Sequence, residues 1–162
     1  MRPMIRSTLF AAIACATFAC ASGGGPEPAA MQPVAGEEKS LDGLHYVDVT
    51  PGSGAAAARL QCVYVHYTGW RANGRQFETS RGGDPVSFVL GVGTVMPGWD
   101  IGIAGMKVGG QRRLMIPARL AYGDKGKAPS IPGGASLVFD TELMAVTDAP
   151  GGRACPAWKD VR

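Results

Sequence analysis

The stretch VMPGWDIGIAGMKVGGQRRLMIP, residues 95–117, changes its periodicity halfway along, and that change decides the fold class. In its first half Trp99, Ile103 and Met106 recur at i, i+4 and i+7, after a Pro97-Gly98 opening and with Asp100 in the first turn. This is the apolar stripe of an amphipathic helix of about two to three turns. Lys107 and Gly109 follow its end, and QRRLMIP (111–117) then reads as a strand. No other stretch has the helical period. A lone short helix in a strand-rich chain hides its stripe only by lying against the sheet, so the expected class is α+β.

Strand signals surround it on both sides. LHYVDVT (44–50) alternates apolar and polar residues before a Pro51-Gly52 turn, and LQCVYVHYT (60–68) is longer and rich in β-branched and aromatic residues. Asn73-Gly74 predicts a tight hairpin turn into Gln76-Phe77-Glu78. PVSFVLG (85–91) and ASLVFDTELMAV (135–146) complete the set. The 24 glycines and 12 prolines are spread along the chain rather than gathered in a tract, as a turn-rich sheet fold requires.

The chain divides into four parts. Residues 1–20 read as an export signal: Arg2 and Arg6 make a positive start, and an apolar run from Thr8 to Ala19 is too short to span a bilayer. Cys20 closes that run ahead of Ala-Ser-Gly-Gly-Gly and resembles the lipidated cysteine of a bacterial lipobox. Thr17 and Phe18 depart from that motif, Cys15 is a poorer second candidate, and cleavage after Ala19-Cys20-Ala21 is the alternative. Residues 21–40 are small and polar and read as a flexible tether. Residues 41–147 form the folded domain, and 148–162 a loop-like tail.

The formal charge of +3 falls to about +1 without the leader, because 14 basic residues then face 13 acids. Those bases are scattered, which argues against a nucleic-acid partner. The only two histidines, His45 and His66, lie in strand-like runs, and no cysteine pair has metal-ligand spacing, so neither a metal centre nor a histidine-dependent hydrolase has residues to be built from. No nucleotide-cradling glycine motif occurs either, and no cofactor is expected. Cys62 and Cys155 have two readings: a disulfide in an oxidising compartment, or a free Cys62 buried as a small hydrophobe. What the domain does hold is a set of aromatics near turns: Tyr67, Phe77, Phe88, Trp99, Tyr122 and Phe139. Singly, each is ordinary core.

Their flanking motifs are more specific. HYTGW (66–70), GRQFETS (74–80), VMPGWDIGIAGMKVGGQRRLMIP (95–117), LAYGDKG (120–126) and IPGGASLVFDTELM (131–144) resemble, in order and spacing, the FKBP family of peptidyl-prolyl cis-trans isomerases. The resemblance implies a five-stranded antiparallel sheet curved around one short helix, with an apolar pocket between them that takes a proline ring. It places Trp99 at the pocket floor, with Tyr67, Phe77, Val95, Met96, Tyr122 and Phe139 around it and Val86, Phe88 and Ile131 among the substrate-binding positions. It also matches the Met96 N–H and the Tyr122 hydroxyl to groups that hydrogen-bond ligand carbonyls.

Three positions depart from the family pattern: Glu78 stands for the usual Asp, Val86 for a frequent Phe, and Met96 for Ile. The loop Arg81-Gly82-Gly83-Asp84 lacks a second arginine found in some relatives. The activity implied is rotation about X-Pro bonds in proline-containing polypeptides of the cell envelope, without cofactor or metal, by a monomer held at the membrane if Cys20 is acylated. Macrolide-type inhibitors are implied ligands. The alternative is a proline-segment binding or chaperone module on the same fold; a purely structural lipoprotein leaves the clustered aromatics without a reason.

Overall fold

The computed structural model describes residues 30–149, 151 and 154–162. The leader 1–20, Cys20 and the first part of the tether lie outside the described residues. Seven strands form one antiparallel sheet: β1 (Glu38–Leu41), β2 (Leu44–Thr50), β3 (Gln61–Arg71), β4 (Gln76–Thr79), β5 (Val86–Val89), β6 (Gln111–Ile116) and β7 (Leu137–Asp148). The order across the sheet is β1-β2-β6-β7-β3-β4, with β5 also paired to β3. Among the described residues a single α-helix, α1 (Pro97–Ile103), lies against one face.

The two extra strands relative to the expected five have physical causes. β1 begins in the segment read as tether and ends at the first residue of the expected domain, and all four of its residues are exposed. It carries no burial pattern, because it is held by backbone pairing with β2, from Glu38↔Val47 to Leu41↔Leu44. β4 is the return arm of the Asn73-Gly74 hairpin: Gly74 has φ +82°, and its N–H closes on the Arg71 carbonyl at 2.8 Å.

Alternation along β3 sorts its side chains onto two faces. Val63, Val65 and Tyr67 point into the main core with Leu114 and Ile116 of β6 and Leu137, Phe139 and Leu143 of β7. The helix enters this core through glycine. A Cβ on Gly98 would lie 2.5 Å from the Ile116 side chain, and one on Gly102 would lie 2.7 Å from that of Leu114, so only hydrogen at both positions lets the helix come this close. The helix is shorter than its periodicity suggests. It ends at Ile103 because Gly105 turns the chain at φ +75°, and Met106 reaches the core from the following loop, its N–H bonded to the Ile103 carbonyl at 3.0 Å. Arg112 fastens the helix end to the sheet, giving Nη1–H to the Gly102 carbonyl at 2.8 Å and Nε–H to Asp48 at 2.6 Å.

The outer face is covered by segments that the sequence reads as loose. Cys62, Tyr64 and Val89 form a second apolar cluster there, and the C-terminal segment packs on it. Cys62 and Cys155 are joined as a disulfide. Tyr64 donates its hydroxyl to the Pro156 carbonyl at 2.8 Å and packs against the Trp158 ring at 5.5 Å between centroids. The tail is therefore a strap. On the N-terminal side Arg113, paired with Asp140 through two hydrogen bonds, also donates to the Gln32 carbonyl at 2.6 Å, which draws the end of the tether onto the same face.

Because the Cys62–Cys155 bond closes a loop of 93 residues, its removal is expected to cost about 2–4 kcal/mol of stability. Denaturant unfolding of oxidised protein beside the Cys155→Ser variant checks this: the midpoint falls in the variant, and the slope rises because the unfolded chain is no longer cross-linked. Equal midpoints would mean that the strap contributes nothing.

Candidate functional site

The site begins with a gap in pairing along β3. One edge of this strand pairs with β7 from Gln61 to Arg71, whereas the other edge is divided: Cys62–Val65 pair with β5 and Thr68–Trp70 with β4. Between the two, Ser80 takes up the backbone of Tyr67. Its Oγ accepts the Tyr67 N–H at 2.9 Å and its own N–H donates to the Tyr67 carbonyl at 3.0 Å, while the Thr79 hydroxyl donates to the same carbonyl at 3.0 Å. The Thr-Ser ending of GRQFETS thus fixes where the Tyr67 ring projects.

Trp99, in the first turn of α1, meets that ring. The indole stands edge-on to Tyr67 at 4.9 Å and 76°, and to Phe139 at 5.4 Å and 84°. Edge-to-face pairs of this kind set the positive rim of one ring on the negative face of the next, and add about 0.5–1.5 kcal/mol beyond burial. Phe77 closes edge-on against Phe139 at 5.7 Å and 89°. Both approach the backbone of Gly69, where a Cβ would lie 2.8 Å from each ring, so HYTGW needs its glycine for the aromatic cluster to assemble.

The walls come from two loops. In the first, Asp100 reaches back from the helix and accepts the N–H of Gly91 at 2.7 Å on Oδ1 and that of Gly93 at 3.0 Å on Oδ2. Both glycines have positive φ, +78° and +75°. This clamp holds the loop that carries Thr94, Val95 and Met96. The second loop is closed by reciprocal bonds between Lys127 and Ile131, at 2.8 and 2.9 Å, and sets the Lys127 ammonium 5.5 Å from the Tyr122 ring centre.

The result is a pocket of about 290 Å³, lined by Tyr67, Glu78, Val86, Thr94, Val95, Met96, Trp99, Tyr122, Lys127 and Phe139. Eight of the eleven residues expected at the site line it. Phe77 and Ile131 line a cavity next door that shares Glu78 and Lys127. Phe88 is buried behind the indole at 5.7 Å and supports the floor rather than facing the pocket. Thr94 and Lys127 were not foreseen. Thr94 was legible as the neighbour of Val95, but a lysine in a glycine-rich loop carries no signal that separates it from a solvated side chain.

The electrostatics are simple. Burial raises the Tyr67 phenol well above the ordinary tyrosine range, and the negative charge of the neighbouring Glu78 carboxylate raises it further, so the hydroxyl stays protonated. The Met96 N–H and the Tyr122 hydroxyl have no acceptor among the described residues, and neither does the buried Trp99 indole N–H. No group of three or more His, Cys, Asp or Glu side chains able to hold a metal ion occurs among the described residues. What the arrangement offers is an apolar hollow with neutral donors at its edge, suited to holding an amide rather than to attacking one.

Comparison with known proteins gives this geometry relatives. The sequence profile of the FKBP-type peptidyl-prolyl cis-trans isomerase family matches residues 54–144. The chain is 49% identical over 108 residues to FK506-binding protein 4 of Rhizopus delemar, covering 67% of this chain and 28% of that protein. It is 52% identical over 93 residues to the peptidyl-prolyl cis-trans isomerase FKBP15-1 of Arabidopsis thaliana, covering 57% and 61%. It thus spans less than two thirds of either. Among solved structures it resembles the peptidyl-prolyl cis-trans isomerase of Pseudomonas syringae pv. tomato, with a TM-score of 0.63, 35% identity and coverage of 68% and 81%. FkpA of Escherichia coli superposes with a TM-score of 0.64 at 42% identity, covering 70% of this chain and 53% of that one.

Replacing Asp100 by Ala removes two charge-assisted bonds to the first wall loop, each worth about 1.5–3 kcal/mol. Amide exchange at Gly91 and Gly93 is expected to accelerate roughly tenfold or more while exchange in β3 and β7 is retained. Unchanged protection at both glycines would show that the loop does not need the clamp.

Proposed function

Since the chain belongs to the family of FKBP-type peptidyl-prolyl cis-trans isomerases, we propose that it accelerates rotation about X-Pro bonds in exported polypeptides. The carrying observation is the apolar hollow floored by Trp99, with two donors at its rim that have no acceptor among the described residues: the Met96 N–H and the Tyr122 hydroxyl. An X-Pro bond resists rotation by about 18–20 kcal/mol because twisting breaks the amide resonance. The planar amide carries more charge separation than the twisted one. An apolar site that strips its water therefore raises the planar form relative to the twisted form, and each 1.4 kcal/mol of difference is tenfold in rate.

Each residue then has a part in this reading. Trp99, Tyr67 and Phe139 hold the proline ring, with Val86, Val95 and Met96 at the sides. The Met96 N–H and Tyr122 hydroxyl hold carbonyls on the flanking chain, and they contribute to the rate to the extent that they bind the twisted state more tightly. Glu78 lines the hollow beside Tyr67, and its carboxylate keeps that phenol from ionising. Phe77 and Phe88 act from behind by fixing Phe139 and Trp99. No covalent step or cofactor is required. Macrolide-type ligands, in keeping with the name of the Rhizopus relative, would occupy the same hollow.

The place of action belongs to the same proposal. Arg2, Arg6, the apolar run and Cys20 support export and acylation, which would make the protein a monomeric lipoprotein of the bacterial envelope with its domain in the periplasm. The Cys62–Cys155 disulfide is in keeping with an oxidising compartment.

Exchange spectroscopy on an Ala-Leu-Pro-Phe peptide tests the activity. The full chain is expected to broaden and merge the cis and trans resonances. Trp99→Leu, which keeps apolar bulk, is expected to lower the rate roughly tenfold, and Tyr122→Phe roughly fivefold through loss of one hydrogen bond of about 1 kcal/mol. Circular dichroism confirms that both variants fold. Peptide-induced shifts without exchange would instead identify a binding module. For location, Cys20→Ala is expected to move the protein from the membrane to the soluble envelope fraction, and an unchanged distribution would exclude the lipid anchor.

A further inference from the structure

The prolyl pocket has an annex. The adjoining cavity of about 230 Å³, between Phe77 on β4 and the loop carrying Pro129 and Ile131, meets it at Glu78 and Lys127. These two are the only charged side chains lining either cavity, and their situations differ. The Glu78 carboxylate lies beside the Tyr67 phenol and opposes its ionisation. Lys127 has no ion pair among the described residues. Its ammonium lies over the Tyr122 ring at 5.5 Å, a contact that holds a cation in place without neutralising it.

The base of that lysine is also fixed. Lys127 and Ile131 exchange N–H to carbonyl bonds at 2.8 and 2.9 Å, and the Ile131 side chain is buried, so the loop between them is a closed unit anchored in the core. An uncompensated cation is thus presented at the junction of two cavities, one sized for a ring and one beside it.

We infer that the second cavity seats the residue next to the proline, and that Lys127 selects substrates carrying a carboxylate there. The inference rests on the isomerase reading above, and adds to it a substrate class: X-Pro segments with an adjacent Asp or Glu. An acidic neighbour supplies the counter-charge that Lys127 lacks. A cationic neighbour is repelled by the same ammonium.

The test uses the full chain and three otherwise identical peptides bearing Glu, Gln or Lys immediately before the proline, with a second set bearing them immediately after it. At low ionic strength the Glu peptide is expected to exceed the Gln peptide in kcat/KM roughly three- to fivefold in at least one set, the range of an exposed ion pair. The ratio is expected to fall toward one in ~1 M salt, where the screening length is about 3 Å. Lys127→Ala brings the ratio to about one, and Lys127→Glu inverts it in favour of the Lys peptide.

A wild-type ratio near one in both sets, a preference for Lys, or a Glu preference that survives Lys127→Ala would each overturn the inference. Chemical-shift titration of the Trp99 indole with the same peptides separates it from the activity. Binding that favours Glu without exchange would uphold charge selection while removing the isomerase reading. Exchange on all peptides without charge preference would do the reverse, and neither binding nor exchange would remove both.

Discussion

The pairing of β3 with β7 along its full length, interrupted by one irregularity between Tyr64 and Val65, is the constraint on which the rest of the molecule depends. A strand so held on one edge can leave its other edge to two short partners without fraying. β5 and β4 share that edge, and the place where neither reaches is where Tyr67 projects and where a serine side chain stands in for a strand. The hollow is thus a property of the ladder before it is a property of any aromatic residue. Had one continuous strand paired with the whole edge, the loops that wall the pocket would have no point of departure.

Above that backbone arrangement, Tyr67 and Phe139 stand edge to face with the indole while Phe88 lies tilted behind it, and glycines decide how near the elements come. Gly69 admits Phe77 and Phe139, while Gly98 and Gly102 let α1 settle onto β6. The same close packing leaves the Trp99 N–H buried without an acceptor among the described residues, a polar group of the kind whose desolvation costs about 1–3 kcal/mol. The structure meets that cost with core contacts: the indole touches Tyr67, Phe88 and Phe139 at centroid distances below 6 Å. Floor and core are the same residues, so the shape of the site is as rigid as the hydrophobic centre.

Much of this was legible from residues alone, where the determining interactions are local. Alternation gave the strands around Leu44–Thr50 and Gln61–Thr68, Asn73-Gly74 gave the hairpin, and spacing gave the helix and its two core residues Trp99 and Ile103. What escaped depends on partners distant in sequence or on the backbone. β1 has no apolar face, since its exposed residues are held by main-chain pairing that any side chain permits. The tail GGRACPAWKDVR reads as loop, yet Tyr64, some 90 residues earlier, takes both a carbonyl and an indole from it. Met106 kept the helical spacing while leaving the helix, because burial constrains where a side chain ends and not the path by which it arrives. Phe88, expected among the substrate-binding residues, packs behind the indole instead of lining the hollow. The cysteine pair had two admissible readings, and only the position of Cys155 over the outer face separates them.

Both flanking segments cross the same side of the sheet. Arg113 holds the carbonyl of Gln32 there, and Cys155, Pro156 and Trp158 rest on Cys62 and Tyr64, all on the face turned away from the indole. The described N-terminal segment therefore meets the domain on the back of the sheet, and none of the residues that line the hollow comes from it or from the C-terminal strap.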